Sequence, residues 1–185
     1  MDRQTLRKAL CATFPSSGGE VVLRETDKGA TLREITVHGL PAEAYAVKLD
    51  GIKVHKLFFD KIIGDFNKHG DYLIVTDREM IVVEMKSRKE LTDKLIDECK
   101  RKFKSDCCIF DYCDSVFFRI LKKNPFFKGK PIYFVLLYQG APIAISPTSA
   151  KPSENPPKHT DPEEFLRIPV ADKARVSFSK LLAGK

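Results

Sequence analysis

Three side chains within one short run have the types and spacing to do chemistry together: Asp71, Glu84 and Lys86. They lie in Gly70-Asp71-Tyr72-Leu73-Ile74-Val75-Thr76-Asp77-Arg78-Glu79-Met80-Ile81-Val82-Val83-Glu84-Met85-Lys86. Read with a period of two, this run is a β-hairpin, with a strand Asp71–Val75, a polar turn Thr76–Glu79 and a strand Met80–Lys86. The second strand is almost wholly apolar and rich in β-branched residues, as expected of a strand covered on both faces. Glu84 interrupts that apolar run. A lone carboxylate buried there would be strongly disfavoured, so Glu84 needs a partner. Lys86, two residues on, projects from the same face, and Asp71 on the neighbouring strand brings a second carboxylate close. Two carboxylates and an ammonium at one end of a sheet make a metal site with a charge-stabilising group beside it.

A plainer reading exists, in which Glu84 and Lys86 form an ion pair on a half-exposed strand and Asp71 caps a turn. A strand with one wet face alternates polar and apolar residues, and Ile81-Val82-Val83 does not. The order of acid at a strand start, short hairpin, acid-x-Lys in a second strand and then a helix resembles the PD-(D/E)XK nuclease superfamily. The resemblance spans Gly51 to Tyr138. Two positions depart from the pattern: Gly70 stands where the motif has its proline, and Ser87 where a small glycine often follows the lysine.

The resemblance implies an α/β fold with a restriction-endonuclease-like core, in which α-helices flank a central mixed β-sheet. It implies Mg²⁺ or Mn²⁺ held by Asp71, Glu84 and the backbone carbonyl of Met85, with Lys86 orienting the attacking water or stabilising developing charge. A further acid often comes from an upstream element. Glu20 and Glu25 are the candidates here, with Asp60 and Asp65 behind them. Family members also place a site-supporting polar residue on the following helix, where Lys94, Glu98 and Lys102 share one polar face. Glu98 and Lys102 equally make an ordinary i,i+4 pair.

The elements that must position these groups are readable in outline. Asp2–Phe14 has the pattern of a short amphipathic helix. Glu20–Glu25, Leu32–His38, Ala42–Leu49 and Val54–Phe59 read as strands, although Phe58–Asn67 has helical spacing as well. Glu90–Phe103 is a helix with Leu91, Leu95, Ile96, Cys99 and Phe103 as its apolar stripe, continuing after a break through Cys107–Leu121. Pro131–Gln139 is an apolar strand. Between Ala141 and Pro169 lie seven of the 11 prolines, which marks an extended surface segment. Val170–Leu182 returns to amphipathic content and closes what reads as a single nuclease-like domain over residues 1–185.

At 185 residues and 43% hydrophobic, the chain can build one real core. No stretch approaches a membrane span and no apolar signal region opens the sequence, which points to the cytoplasm. Cys11, Cys99, Cys107, Cys108 and Cys113 have no CxxC spacing and read as reduced thiols, mainly small core residues. The net charge of +7 suits a polyanionic partner. Lys100, Arg101, Lys102 and Lys104 follow the motif strand closely. Lys122, Lys123, Lys128 and Lys130 surround Phe126 and Phe127 in a loop that either stacks on bases or packs its aromatics inward.

Two functions from different classes follow. One is a metal-dependent nuclease hydrolysing phosphodiester bonds, most naturally in DNA. The other is a catalytically inactive module of the same fold that binds nucleic acid or a protein partner. Retention of Asp71, Glu84 and Lys86 together favours the enzyme, because a pure binder has no need of a buried acid pair. The small size, without a separate recognition domain, implies a homodimer or a partner protein that supplies targeting.

Overall fold

The structure, a computed structural model, describes residues 13–49, 68–120, 122, 126–140 and 159–182. The expected elements at Val54–Phe59 and Phe58–Asn67, most of the expected helix at Asp2–Phe14, and Cys11, Asp60, Asp65 and Lys123 lie outside the described residues. Thr13, at the end of that expected helix, is extended instead. It forms a β-bridge to Ala46, with the two backbone hydrogen bonds at 2.7 and 2.8 Å.

The architecture is mixed α/β, built on two mixed sheets. Strands β1 (Val21–Arg24), β2 (Glu34–His38) and β8 (Ala174–Ser177) form a three-stranded sheet in the order β1-β2-β8. Strands β3 (Tyr45–Lys48), β4 (Tyr72–Val75), β5 (Met80–Lys86), β6 (Ile132–Gln139) and β7 (Leu166–Val170) form a five-stranded sheet in that order. Within it β3-β4-β5 is antiparallel and β5-β6-β7 is parallel. The long helix α1 (Asp93–Arg119) connects β5 to its parallel neighbour β6, and a single helical turn, α2 (Phe178–Leu181), follows β8.

Alternation along the strands sorts side chains into two layers. Ile74, Ile81, Val83, Val135 and Leu137 face the three-stranded sheet, where Leu23, Ile35, Val37 and Val176 meet them. Leu73, Val75, Met80, Val82, Phe134 and Leu136 face α1 and pack on Cys99, Phe103 and Phe110. The central strand β5 is therefore covered on both sides, as its unbroken apolar run requires. The arrangement departs from a sheet flanked by helices on each face: among the described residues, α1 covers one face of the five-stranded sheet and a second sheet covers the other.

One further expectation is corrected. Helix α1 runs 27 residues without the break expected before Cys107. No Gly or Pro interrupts Asp93–Arg119, and the polar residues Ser105 and Asp106 just before Cys107 are buried within the helix's course. Thr92 caps its start, accepting from Leu95 N–H at 3.4 Å. The proline-rich stretch, of which 141–158 lies outside the described residues, ends in a regular strand. Pro169 is part of β7, which among the described residues pairs only with β6, and an edge strand tolerates a residue that cannot donate. No helix among the described residues is long and apolar enough to cross a membrane.

A carboxylate pair beneath helix α1

The hairpin turn between β4 and β5 is tied by Thr76, whose hydroxyl accepts from Arg78 and Glu79 N–H at 3.1 and 3.0 Å. Its register pairs Tyr72 with Val83. One step further out, Asp71 N–H donates to the Val83 carbonyl at 2.9 Å, and Asp71 Oδ2 accepts from Met85 N–H at 2.6 Å. Asp71 is thus held beside Glu84, and strand alternation puts both carboxylates and Lys86 on the face that α1 covers.

Glu84 is fully buried. Its Oε1 accepts from two ammonium groups, Lys86 Nζ at 2.9 Å and Lys102 Nζ at 2.6 Å. Lys86 Nζ also meets Glu98 Oε1 at 3.0 Å. The partner that Glu84 requires is therefore double: one lysine from its own strand and one from α1. Glu98 and Lys102, which as an i,i+4 pair could have faced only each other, instead reach Lys86 and Glu84 respectively. Glu84 Oε2 is buried and has no hydrogen-bond partner among the described residues.

Burial and the neighbouring Glu84 carboxylate push Asp71 up to about 8, against opposition from Lys102 and the Met85 N–H. Glu25 adds to that push, so its charge is felt at Asp71. Burial pulls the Lys86 ammonium down, but Glu84 and then Glu98 outweigh it and hold Lys86 above the ordinary lysine range. Lys102 is likewise raised, with Glu84 and Asp71 overcoming its burial. Glu98 resists its own burial and is lowered by Lys86.

A second polar anchor fixes the corner that carries Asp71. Asp106, on α1 one turn beyond Lys102, is buried. Its carboxylate accepts from Gly70 N–H at 2.9 Å and meets His69 Nδ1 at 3.2 Å. Burial raises the Asp106 carboxyl above its usual range despite those contacts. Here the two departures from the motif find a physical reason. A Cβ on Gly70 would come within 2.7 Å of Val82 Cγ1, and a proline would also remove the N–H given to Asp106. Gly70→Pro, which restores the motif's namesake residue, is expected to destabilise the fold by about 2–4 kcal/mol in urea unfolding. Ser87 Oγ accepts from Thr31 and Leu32 N–H, both at 2.9 Å, and so clamps the loop after β1 against the end of β5. A glycine there could not do so.

The remaining candidates distribute unevenly. Glu25 Oε1 accepts from Thr26 and Asp27 N–H at 2.7 and 2.9 Å in the turn after β1. Glu20 pairs with Arg175, outside the carboxylate pair. Lys100 and Lys104 both pair with Glu163, and Arg101 is exposed between them. Lys122 is exposed, as is Lys128. Lys130 Nζ reaches the Thr76 carbonyl at 3.1 Å and lies over the Phe126 ring at 4.6 Å.

Phe126 and Phe127 pack inward. The Phe127 ring stacks on Phe110 at 4.8 Å and meets Phe126 edge-on at 5.0 Å. Asp114 secures the loop by accepting from the N–H groups of Phe126, Phe127 and Lys128 at 2.6, 2.9 and 2.6 Å. Phe127→Ala is therefore expected to lower stability by roughly 3 kcal/mol, read as a falling melting temperature, rather than to weaken single-strand binding at constant stability. Of the described cysteines, Cys99 is in the core, Cys107 and Cys113 are half-buried and Cys108 is exposed, all as free thiols.

No group of three or more His, Cys, Asp and Glu side chains is assembled as a metal centre among the described residues. A hard divalent ion such as Mg²⁺ needs fewer protein ligands, because it keeps several waters and takes one or two carboxylates together with substrate oxygens. The pair fits that requirement. Glu84 Oε2 is an acceptor with no donor among the described residues, and the Asp71 carboxyl is held protonated first by burial and then by the Glu84 charge, whose repulsion a bound cation would relieve.

No family model, curated protein or solved structure matches this chain.

Proposed function

We propose that the chain is a metal-dependent nuclease of PD-(D/E)XK type, with a restriction-endonuclease-like core, that hydrolyses phosphodiester bonds, DNA being the expected substrate. One observation carries the reading: Asp71 and the orphaned Glu84 Oε2 stand together on one sheet face, with Lys86 and Lys102 fixed beside them. Asp71, Glu84 Oε2 and the Met85 carbonyl are the groups that would hold Mg²⁺ or Mn²⁺. When bound, the ion supplies polarisation of the scissile phosphate and a lowered pKa for the attacking water.

The chain's own residues do the rest. Glu84 and Glu98 clamp Lys86 from two sides, so its ammonium needs little reorganisation to meet charge developing on a phosphate oxygen. Lys102, from α1, offsets negative charge of the pair at Glu84 Oε1. Asp106 and Gly70 hold the backbone that aims Asp71. Glu25 is the more suitable of the two upstream acids because its field reaches Asp71, whereas Glu20 is committed to Arg175.

One observation favours the inactive-module alternative: Lys86 and Lys102 already satisfy Glu84 Oε1, so the network is partly neutralised without any ion. Incubation with supercoiled plasmid, single-stranded DNA and RNA, each with Mg²⁺ or EDTA, separates the two. The nuclease reading expects cleavage of at least one substrate with Mg²⁺ and none with EDTA. Binding without cleavage of any substrate supports the module.

The raised Asp71 carboxyl gives a pH signature. Folded, it keeps a proton to about pH 8, whereas an ordinary aspartate loses it near 3.8. Between those values the folded chain binds one proton more than the unfolded chain, so stability falls as pH rises, by at most ~1.4 kcal/mol per unit, and levels off above 8. Urea midpoints for metal-free protein at pH 5 and pH 8 check this. Asp71→Asn is expected to remove most of the decline. Mn²⁺ competes with that same proton, so its apparent affinity is expected to rise over the approach to pH 8 and then level.

A further inference from the structure

A cavity of about 290 Å³ opens beside Lys86, between the end of β5 and the first turns of α1. Its charged lining is Lys86, Arg88, Lys94 and Glu98, with Leu95 as an apolar wall. The charges do not cancel. Glu98 is engaged by Lys86 at 3.0 Å, which leaves Arg88 and Lys94 as two exposed cations. Neither has an ion pair or side-chain hydrogen bond among the described residues. Thr92 is on the rim, its hydroxyl already given to capping α1. The cavity is therefore a small concave space with surplus positive charge, and it shares Lys86 and Glu98 with the network around the carboxylate pair.

We infer that this cavity is a phosphodiester subsite: Arg88 and Lys94 receive a backbone phosphate of a nucleic-acid strand next to the one presented to Asp71, Glu84 and Lys86. The inference rests on the nuclease reading for the identity of the strand, and it moves the substrate contact. Lys100, Lys104 and Lys130, prominent in the sequence as phosphate ligands, are held by Glu163 or by the loop that carries Phe126. Arg88 and Lys94 are uncommitted among the described residues and lie beside the candidate centre. Arg88 also offers the fork geometry that matches two phosphate oxygens.

The test is binding of fluorescein-labelled thymidine dodecamer to the full chain by anisotropy, in EDTA, across a salt series. Losing the one phosphate that Arg88 and Lys94 receive on a single strand flattens the slope of log K against log salt by about 0.7. Arg88→Ala/Lys94→Ala is expected to show that flattening with weaker binding at every salt. Arg119→Ala/Lys180→Ala removes the same charge away from the cavity and is expected to keep the wild-type slope. Equal slopes in the cavity variant and wild type overturn the subsite, as does a wild type that does not bind the dodecamer. Cleavage with Mg²⁺ is scored separately. A chain that never cleaves, yet shows the slope change, retains the subsite and loses the nuclease reading. A chain that cleaves, with the cavity variant unchanged in slope, loses the subsite alone.

Discussion

Glu84→Ala is expected to lose divalent-cation binding and a large share of stability at once. The substitution leaves two partly buried ammonium groups, Lys86 and Lys102, without the carboxylate they share. Breaking a buried charge pair from one side typically costs about 3–5 kcal/mol. Glu98 still faces Lys86, so the orphaned group is chiefly Lys102, and the lower end of that range applies. Glu84→Gln separates the two losses. It keeps the shape and an acceptor oxygen, so it is expected to unfold at higher urea than Glu84→Ala while binding Mn²⁺ no better. Calorimetric titration with Mn²⁺ beside urea unfolding reads both. Binding by Glu84→Ala equal to wild type would remove Glu84 as a ligand.

Lys86→Ala is expected to act on rate rather than on fold. Glu84 keeps Lys102 at 2.6 Å, so no buried carboxylate is stranded, and the carboxylate pair that would hold the cation is untouched. Loss of one preorganised charge-stabilising contact of this kind lowers the rate by roughly 10²–10³. Single-turnover cleavage should show that drop with Mn²⁺ binding preserved. Undiminished cleavage by the variant would end the catalytic reading of Lys86.

The sequence made the hairpin legible because strand alternation is strict where one apolar run must face two layers. Ile81, Val83 and Met85 had to face one core, Met80 and Val82 the other, and Glu84 was left facing α1 with a charge to satisfy. Helix α1 was legible by its stripe of Leu95, Cys99 and Phe103. What was not legible was the role of its neighbouring stripe. Lys94, Glu98, Lys102 and Asp106 recur every four residues with alternating sign, a pattern that a solvated helix face shares. Only the crossover from β5 to β6 turns that stripe onto Asp71 and Glu84. Its full length, four charges with the last beside a buried serine, was the signal that could have assigned Lys102 and Asp106 to the site.

The second sheet was legible as strands but not as a layer. The parallel pairing of β2 with β8 joins residues far apart in the chain, and pairing at such separation leaves no local trace. For the same reason Ser87 read only as a departure from a motif, although it fastens the loop after β1. The inward packing of Phe126 and Phe127 depended on Asp114, twelve or more residues upstream, which no periodicity connects to that loop.

Asp71→Asn tests the central claim most directly. The metal-free Asp71 carboxyl, raised to about 8, is already neutral at pH 7, so asparagine copies its charge, its size and its acceptor for the Met85 N–H. What asparagine cannot do is release a proton to solvent and present a carboxylate to a cation. In a single-turnover assay with Mg²⁺ at pH 7.5, on a substrate that wild type cleaves, the variant is expected to be folded, more stable than metal-free wild type and unable to cleave. Cleavage by Asp71→Asn at the wild-type rate, or wild-type cleavage that persists in EDTA, would contradict the assignment of this carboxylate pair as a metal-dependent phosphodiesterase centre.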